Sequence, residues 1–251
     1  MNPSLEANAA ANAFAATRWT LVLAAGGAEA TPSESLDALS ELCRIYWRPL
    51  YLFLRRQGIR AEDAQDLTQG FFAETIRDRT YFRANRAHGR FRSFLLGGLK
   101  HFVADARDRE HAQKRGGGKV PVPFDEFAIA EAERQVARNE LWKADHVYDR
   151  EWAETLLRQT LARLAQECAF AGKGVLFEAL KPRLSAEDED ATPYADLAER
   201  LRRPAATLRK DVERFRARYG EILREEVRGT ISDPDEVDEE LRYLCQVLAS
   251  G

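Results

Sequence analysis

Cysteine is scarce: Cys43, Cys168 and Cys245 are the three in 251 residues, far apart, odd in number and without a Cys-x-x-Cys pair. That excludes a disulfide framework and a cysteine-based zinc site, and it fits a reducing cytoplasm. Histidine is nearly as rare, with His88, His101, His111 and His146 alone. None stands in a metalloprotease or nucleophile-elbow pattern, and no glycine-rich phosphate loop occurs. No enzyme activity, metal or cofactor is therefore expected. No run of about 18 apolar residues exists, so no membrane span is expected. The opening stretch, Met1 to Ala16, lacks the basic residues that begin a secretory signal. Glycine (15) and proline (9) are too few for a low-complexity chain.

What is present is a globular composition, 45% hydrophobic and 31% charged. Its 38 Lys and Arg against 41 Asp and Glu give a formal net charge of −3. Taken as an average, that charge speaks against a nucleic-acid partner. Its distribution along the chain speaks for one.

Nearly every periodic segment reads as helix. Ser35 is placed to cap a helix carrying Leu36, Leu39, Leu42, Cys43, Tyr46, Leu50, Phe53 and Leu54, kinked at Pro49 and ended by Gly58. A second helix, Ala61 to Arg77, has Ala64, Leu67, Phe71 and Ile76 on its apolar face. A third, from Arg90 to Lys114, repeats Phe91, Phe94, Leu95, Leu99, Phe102 and Val103 at three- and four-residue spacings. Gly116-Gly117-Gly118 and Val120-Pro121-Val122-Pro123 then mark the domain boundary. A thin apolar stripe between Asp125 and His146 reads as a linker with partial helix. Helical pattern resumes at Trp152 and runs to Cys168, a further helix spans Val175 to Leu184, and Glu187 to Asp190 forms an acidic loop. The expected fold class is all-α: two helical domains joined by a linker.

The segment Arg77 to Lys119 holds twelve cations against Asp78, Asp105, Asp108 and Glu110, a net +8. On its helix Lys100, Arg107, His111 and Lys114 share a side away from the apolar face. A polyanion is the natural partner of such a stripe, because each phosphate contact releases a counterion. Just before it, Tyr81-Phe82-Arg83 and His88-Gly89-Arg90-Phe91 mix rings with guanidinium groups, a combination suited to unstacked bases. A second basic segment begins after Thr192, placed as a cap with Pro193 at the first helical position. A short helix bearing Tyr194, Leu197, Ala198 and Leu201 passes through Arg202-Arg203-Pro204 into a longer one whose buried face holds Leu208, Val212, Phe215 and Tyr219. The outer face offers Ala206, Lys210, Glu213 and Arg214, flanked by Thr207 and Arg209. Arg202 to Arg218 carries a net +5. Short helix, tight turn and basic helix form the helix-turn-helix pattern, whose second helix enters the major groove.

These two modules, in this order, resemble the sigma-70 family of bacterial RNA polymerase sigma factors, in its extracytoplasmic-function type and planctomycete-like long-linker group. The carrying strings are Tyr46-Trp47-Arg48-Pro49-Leu50-Tyr51, then Ala61-Glu62-Asp63-Ala64-Gln65-Asp66-Leu67-Thr68-Gln69-Gly70-Phe71-Phe72, then Gly89-Arg90-Phe91-Arg92-Ser93-Phe94-Leu95-Leu96 for region two. For region four the carrier is Trp152 to Tyr219 with its helix-turn-helix. The resemblance implies a poorly ordered start over 1–17, a region-two-like bundle over 18–115, a linker over 116–150, a region-four-like domain over 151–228 and an acidic C-terminal helix over 229–251. It implies a cytoplasmic factor that binds the largest and second-largest subunits of core RNA polymerase and directs the enzyme to promoter DNA. In that reading Asp63, Asp66, Leu67, Gln69 and Phe72 bind the polymerase. Tyr81, Arg83, Arg86, Arg90, Arg92, Lys100, Arg107, His111 and Lys114 hold the minus-ten element. Arg203, Thr207, Arg209, Lys210 and Arg214 read the minus-thirty-five element. An anti-sigma factor or a Ser/Thr kinase enters as a candidate regulator.

The chain departs from the family where a glycine normally makes the turn and a Ser or Thr caps the recognition helix. Here those places hold Arg202 and Pro204. Arginine resists a positive φ, and a missing cap costs about 1 kcal/mol. Asp211 and Glu213 also add negative charge to a DNA-facing helix. From Ser232 the tail reads as a capped acidic helix ending in Leu241, Leu244 and Val247, either packed on its domain or lying over a basic DNA surface. Thr68 is read either as a helix-surface threonine or as a phosphorylation site. A stand-alone helix-turn-helix regulator is the alternative function, and a helical adaptor without a DNA role is the remaining one.

Overall fold

The computed structural model describes residues 32–77, 89–112, 126–138, 142–184 and 193–250. Among them every regular element is helical: nine α-helices and two short 3-10 turns, with no strand. The all-α expectation is met. Contacts divide the chain into two units, one formed by Met1–Thr155 with Val227–Gly251 and the other by Leu156–Glu226.

Unit 1 is built on α1 (Pro32–Arg56). Cys43, Ile45, Tyr46, Trp47, Leu50, Tyr51, Leu52, Phe53 and Leu54 are all buried; Arg44 is exposed, and from Ile45 to Leu54 the helix is covered nearly all round, as a core helix is. The helix runs on through Pro49 and ends where Gly58 adopts φ +81°, a left-handed conformation open to glycine at little cost. Next, α2 (Ala61–Arg77) has the bounds its periodicity predicts. It faces α3 (Phe91–Ala112) at close range: a Cβ on Gly70 would stand 3.1 Å from the Phe102 ring. The C-terminal end of the expected third helix, Lys114, lies outside the described residues.

The centre of unit 1 is aromatic. Tyr46 stacks on Trp152 with ring centroids 4.5 Å apart, and Phe91 meets Tyr46 edge-on at 5.5 Å. Tyr148 packs edge-on against Phe53 at 6.4 Å. Such pairs contribute roughly 0.5–1.5 kcal/mol each beyond their buried area. Trp152 and Tyr148 belong to α5 (Ala144–Phe170), which therefore begins eight residues before the expected Trp152.

The expected linker contains α4 (Glu126–Arg138), and it is packed on α1. Ala132 is fully buried, which matches the thin apolar stripe. Polar contacts hold the rest. Arg55 donates two hydrogen bonds to the Glu133 carboxylate, at 2.6 and 2.7 Å, and the Tyr51 hydroxyl donates a third at 2.6 Å. Arg48 donates to Gln135 at 2.8 Å, and Arg56 to the Val136 carbonyl at 3.1 Å. The Arg55 bonds hold the Glu133 carboxyl below the ordinary carboxylate range, and the Tyr51 hydroxyl adds to them. Apolar periodicity registers the helix but not the polar contacts that dock it. The C-terminal segment also belongs to unit 1, including α9 (Val237–Ala249), with Ile231, Leu244 and Val247 buried.

Unit 2 takes the rest of α5, then α6 (Gly174–Leu180), a 3-10 turn over Lys181–Leu184, α7 (Tyr194–Leu201) and α8 (Ala205–Arg228) up to Glu226. Its core is Leu164, Cys168, Phe177, Leu180, Leu197, Leu208, Val212, Phe215 and Ile222, with Tyr219 packed against it. Leu208, Val212, Phe215 and Tyr219 are the face that the helical spacing predicts. Arg218 clamps Glu167 through two hydrogen bonds of 2.8 Å, which hold that carboxyl below its ordinary range. Pro193 caps α7 rather than opening it, and the expected cap Thr192 lies outside the described residues.

Candidate nucleic-acid interface

In unit 2, α7 and α8 meet at Arg202, which takes φ 51° and ψ 45°. It is the one non-glycine residue with positive φ among the described residues. Its N–H bonds to the Glu199 carbonyl at 3.2 Å and the Arg203 N–H to the Ala198 carbonyl at 3.0 Å, closing the left-handed helix end that a glycine usually makes. The first bonds of α8 run from the Thr207 and Leu208 N–H groups to the Pro204 carbonyl, with no side-chain cap available from proline. The departure read from the sequence is thus realised in the backbone: the turn forms, with arginine in the strained position.

The face opposite Leu208, Val212 and Phe215 presents Ala206, Arg209, Lys210, Glu213 and Arg214 to solvent, with Thr207 half-buried. Asp211 is buried beneath them, contrary to its reading as a DNA-facing charge. Its two oxygens accept from Arg203 at 2.9 Å and Arg214 at 3.2 Å, so this carboxylate orients two of the candidate cations. Arg209 lies over the Tyr194 ring at 5.0 Å, and Arg183 lies over the same ring at 4.0 Å. Arg183 and the Tyr194 ring were not among the sequence candidates; a ring shared by two guanidinium groups leaves no periodic trace.

In unit 1 the polymerase-binding candidates separate into two groups. Asp63 and Asp66 are exposed on α2, Asp63 in an ion pair with Arg60 at 2.9 Å, and Leu67 and Gln69 are half-buried beside them. Phe72 is a core residue instead, 2% exposed, with its ring 5.5 Å from that of Phe71. Thr68 is fully buried and donates its hydroxyl to the Ala64 carbonyl at 2.7 Å. Neither a surface threonine nor an accessible phosphorylation site describes it.

Of the minus-ten candidates, Tyr81, Arg83, Arg86 and Lys114 lie outside the described residues, and Arg107 and His111 fall within α3 in its C-terminal half. Lys100 is exposed and pairs with Asp145 at 2.8 Å, its ammonium 5.2 Å from the Phe53 ring. Arg90 is three-quarters covered; it donates a hydrogen bond to Glu239 at 2.8 Å and forms an ion pair with Glu240 at 2.9 Å. Arg92 is buried. It reaches Glu240 at 2.8 Å and Asp149 at 2.6 Å, and its guanidinium lies 4.4 Å from the Tyr243 ring centroid. In this arrangement Arg92 offers no cation to a polyanion. The carboxylates that hold it stand 57 and 148 residues away, a separation no motif signals.

Among the described residues no group of three or more His, Cys, Asp or Glu side chains gathers as a metal site, and no helix is long and apolar enough to cross a membrane. Burial pushes the Cys43 thiol up to about 12, which makes it an inert core residue. Compared with known proteins, the chain matches no family model, no curated protein and no solved structure.

Proposed function

We propose that this protein is a transcription initiation factor of the sigma-70 type, binding core RNA polymerase and guiding it to promoters. The observation that supports it most is the tight Arg202 turn between α7 and α8, with Arg209, Lys210 and Arg214 exposed on α8. Together with the region-two strings it favours a two-part promoter reader. Lys210 and Arg214 lie four residues apart, on neighbouring turns of one helical face, and side chains so spaced reach successive base edges in a major groove. Each such base contact is worth roughly 1–3 kcal/mol of discrimination, while phosphate contacts set the register. Arg203, held by Asp211 at the turn, suits phosphate positioning. On α2 the exposed Asp63 and Asp66 offer carboxylates to a basic polymerase surface, with Leu67 and Gln69 at the rim. At the minus-ten element, rings and guanidinium groups from Tyr81 to Arg90 would offset the few kcal/mol needed to unstack a base.

In vitro transcription with purified core polymerase and genomic DNA tests the reading. Promoter-dependent transcripts are expected only when the protein is added. Their absence with demonstrably active core overturns the proposal. Tight binding of a dimer to a palindrome without polymerase would instead identify a stand-alone helix-turn-helix regulator.

A further inference from the structure

The acidic C-terminal helix and the basic head of α3 meet inside unit 1, and the way they meet has a chemical logic. Glu240 is fully buried: its Oε1 accepts a hydrogen bond from Arg92 at 2.8 Å, and its Oε2 lies 2.9 Å from the Arg90 guanidinium as an ion pair without a hydrogen bond. The Glu239 carboxylate, largely exposed, accepts a further bond from Arg90 at 2.8 Å. The backbone of the same segment reaches the same place. The Phe91 N–H donates to the Thr230 carbonyl at 2.7 Å, and the Ser232 hydroxyl donates to the Gly89 carbonyl at 2.8 Å. Tyr243, on the next turn of α9, lies against the Arg92 guanidinium.

Two arginine forks converging on oxygens is the arrangement that binds phosphate as readily as carboxylate. A buried carboxylate is an expensive way to fill space. Replacing such ion pairs by apolar side chains of similar volume is often neutral or stabilising. Glu240 therefore contributes little as packing; what it does is neutralise two cations that belong, by sequence, to the basic segment of net +8.

We propose that α9 is an intramolecular mask: Glu239 and Glu240 occupy, in place of nucleic-acid phosphate, the seat formed by Arg90 and Arg92 at the start of α3. The inference rests on the function proposed above and adds its regulation. In the closed form the head of α3 is blocked to a polyanion. Displacing α9 exposes Arg90 and leaves Arg92 held by Asp149 alone, and a phosphate then takes the place of the two glutamates. DNA and α9 compete for one site, so their binding free energies are coupled with opposite sign.

The test uses the full-length chain and a fluorescent single-stranded oligonucleotide, without polymerase. Glu239→Gln with Glu240→Gln keeps side-chain size and removes both charges. It is expected to tighten binding by about tenfold, within the usual range for coupled sites. Adding Arg90→Ala to that variant is expected to abolish the gain. Circular dichroism and thermal melting establish that each variant is folded. Should the double variant unfold, Glu239→Gln alone decides, since that side chain is exposed; a gain of about threefold is expected, lost again with Arg90→Ala. A folded variant with unchanged affinity overturns the mask. So does a gain that survives Arg90→Ala, because it would reflect net charge alone. Transcription assays separate this from the parent reading. Promoter-dependent transcription by the wild-type protein with no gain in the variants rejects the mask only. A gain dependent on Arg90 without any transcription rejects the sigma-factor reading and keeps the mask.

Discussion

A single backbone angle at Arg202 ties sequence to stability, at the turn on which the proposed DNA reading depends. A left-handed residue with a Cβ costs roughly 1–2 kcal/mol relative to its right-handed alternative, a cost that glycine avoids. Arg202→Gly is therefore expected to stabilise the protein by about 1 kcal/mol, read as a higher urea midpoint at unchanged slope. A lower midpoint would mean that the arginine side chain makes a compensating contact. The strain was legible because the turn position and the residue type are both written in the chain. Other single-residue roles were not. Helical spacing tells which face is apolar, but it does not tell which polar side chain finds a partner inside. Thr68 is satisfied by a carbonyl one turn away, and Arg92 by two carboxylates remote in sequence. Phe72 was assigned to a partner surface, yet two adjacent phenylalanines at a helix interface are both accommodated in the core. Much of the string Thr68-Gln69-Gly70-Phe71-Phe72 thus has a packing role, Gly70 included.

Elements with a strong apolar stripe were read well, α2 to the residue and α3 within a few. α4 falls within the stretch expected as partial helix; what escaped was its docking on α1, because charge and hydrogen bonding supply most of the contact beside the buried Ala132. Its attachment makes a pH prediction. The Arg55 bonds, aided by Tyr51, lower the folded pKa of Glu133 from the ordinary value of 4.5. A carboxyl with a depressed folded pKa contributes stability that is fully present above its unfolded pKa. That contribution is lost as pH falls from there through the folded value, and Glu167 under Arg218 adds in the same direction. Glu133→Gln is expected to cost about 1 kcal/mol at neutral pH, solvent screening included. The melting temperatures of wild type and variant should converge as pH falls below about 4. A gap that stays constant with pH would show that the Glu133 charge does not hold α4.

For the molecule as a whole, the net charge of −3 is a cancellation between basic segments and acidic ones. The structure adds that part of the cancellation is local: Asp211 lies against Arg203 and Arg214, and Glu239 and Glu240 against Arg90 and Arg92. Fewer cations face solvent than the segment totals suggest. Duplex DNA binding should therefore weaken with salt by a modest slope, about 2–4 in log Kd against log salt, as expected for two to four phosphate contacts. A slope near zero would remove any role in binding DNA. The division into units has a further consequence, for synthesis. Unit 1 is assembled from two stretches of chain, and the second, from Val227, follows all of unit 2. Chains grow at roughly 5–20 residues per second and domains fold as their parts emerge. Unit 2 is thus complete while unit 1 still waits for Ile231, Leu244 and Val247. Until those last residues leave the ribosome, the nascent protein carries Arg90 and Arg92 without the glutamates that later cover them.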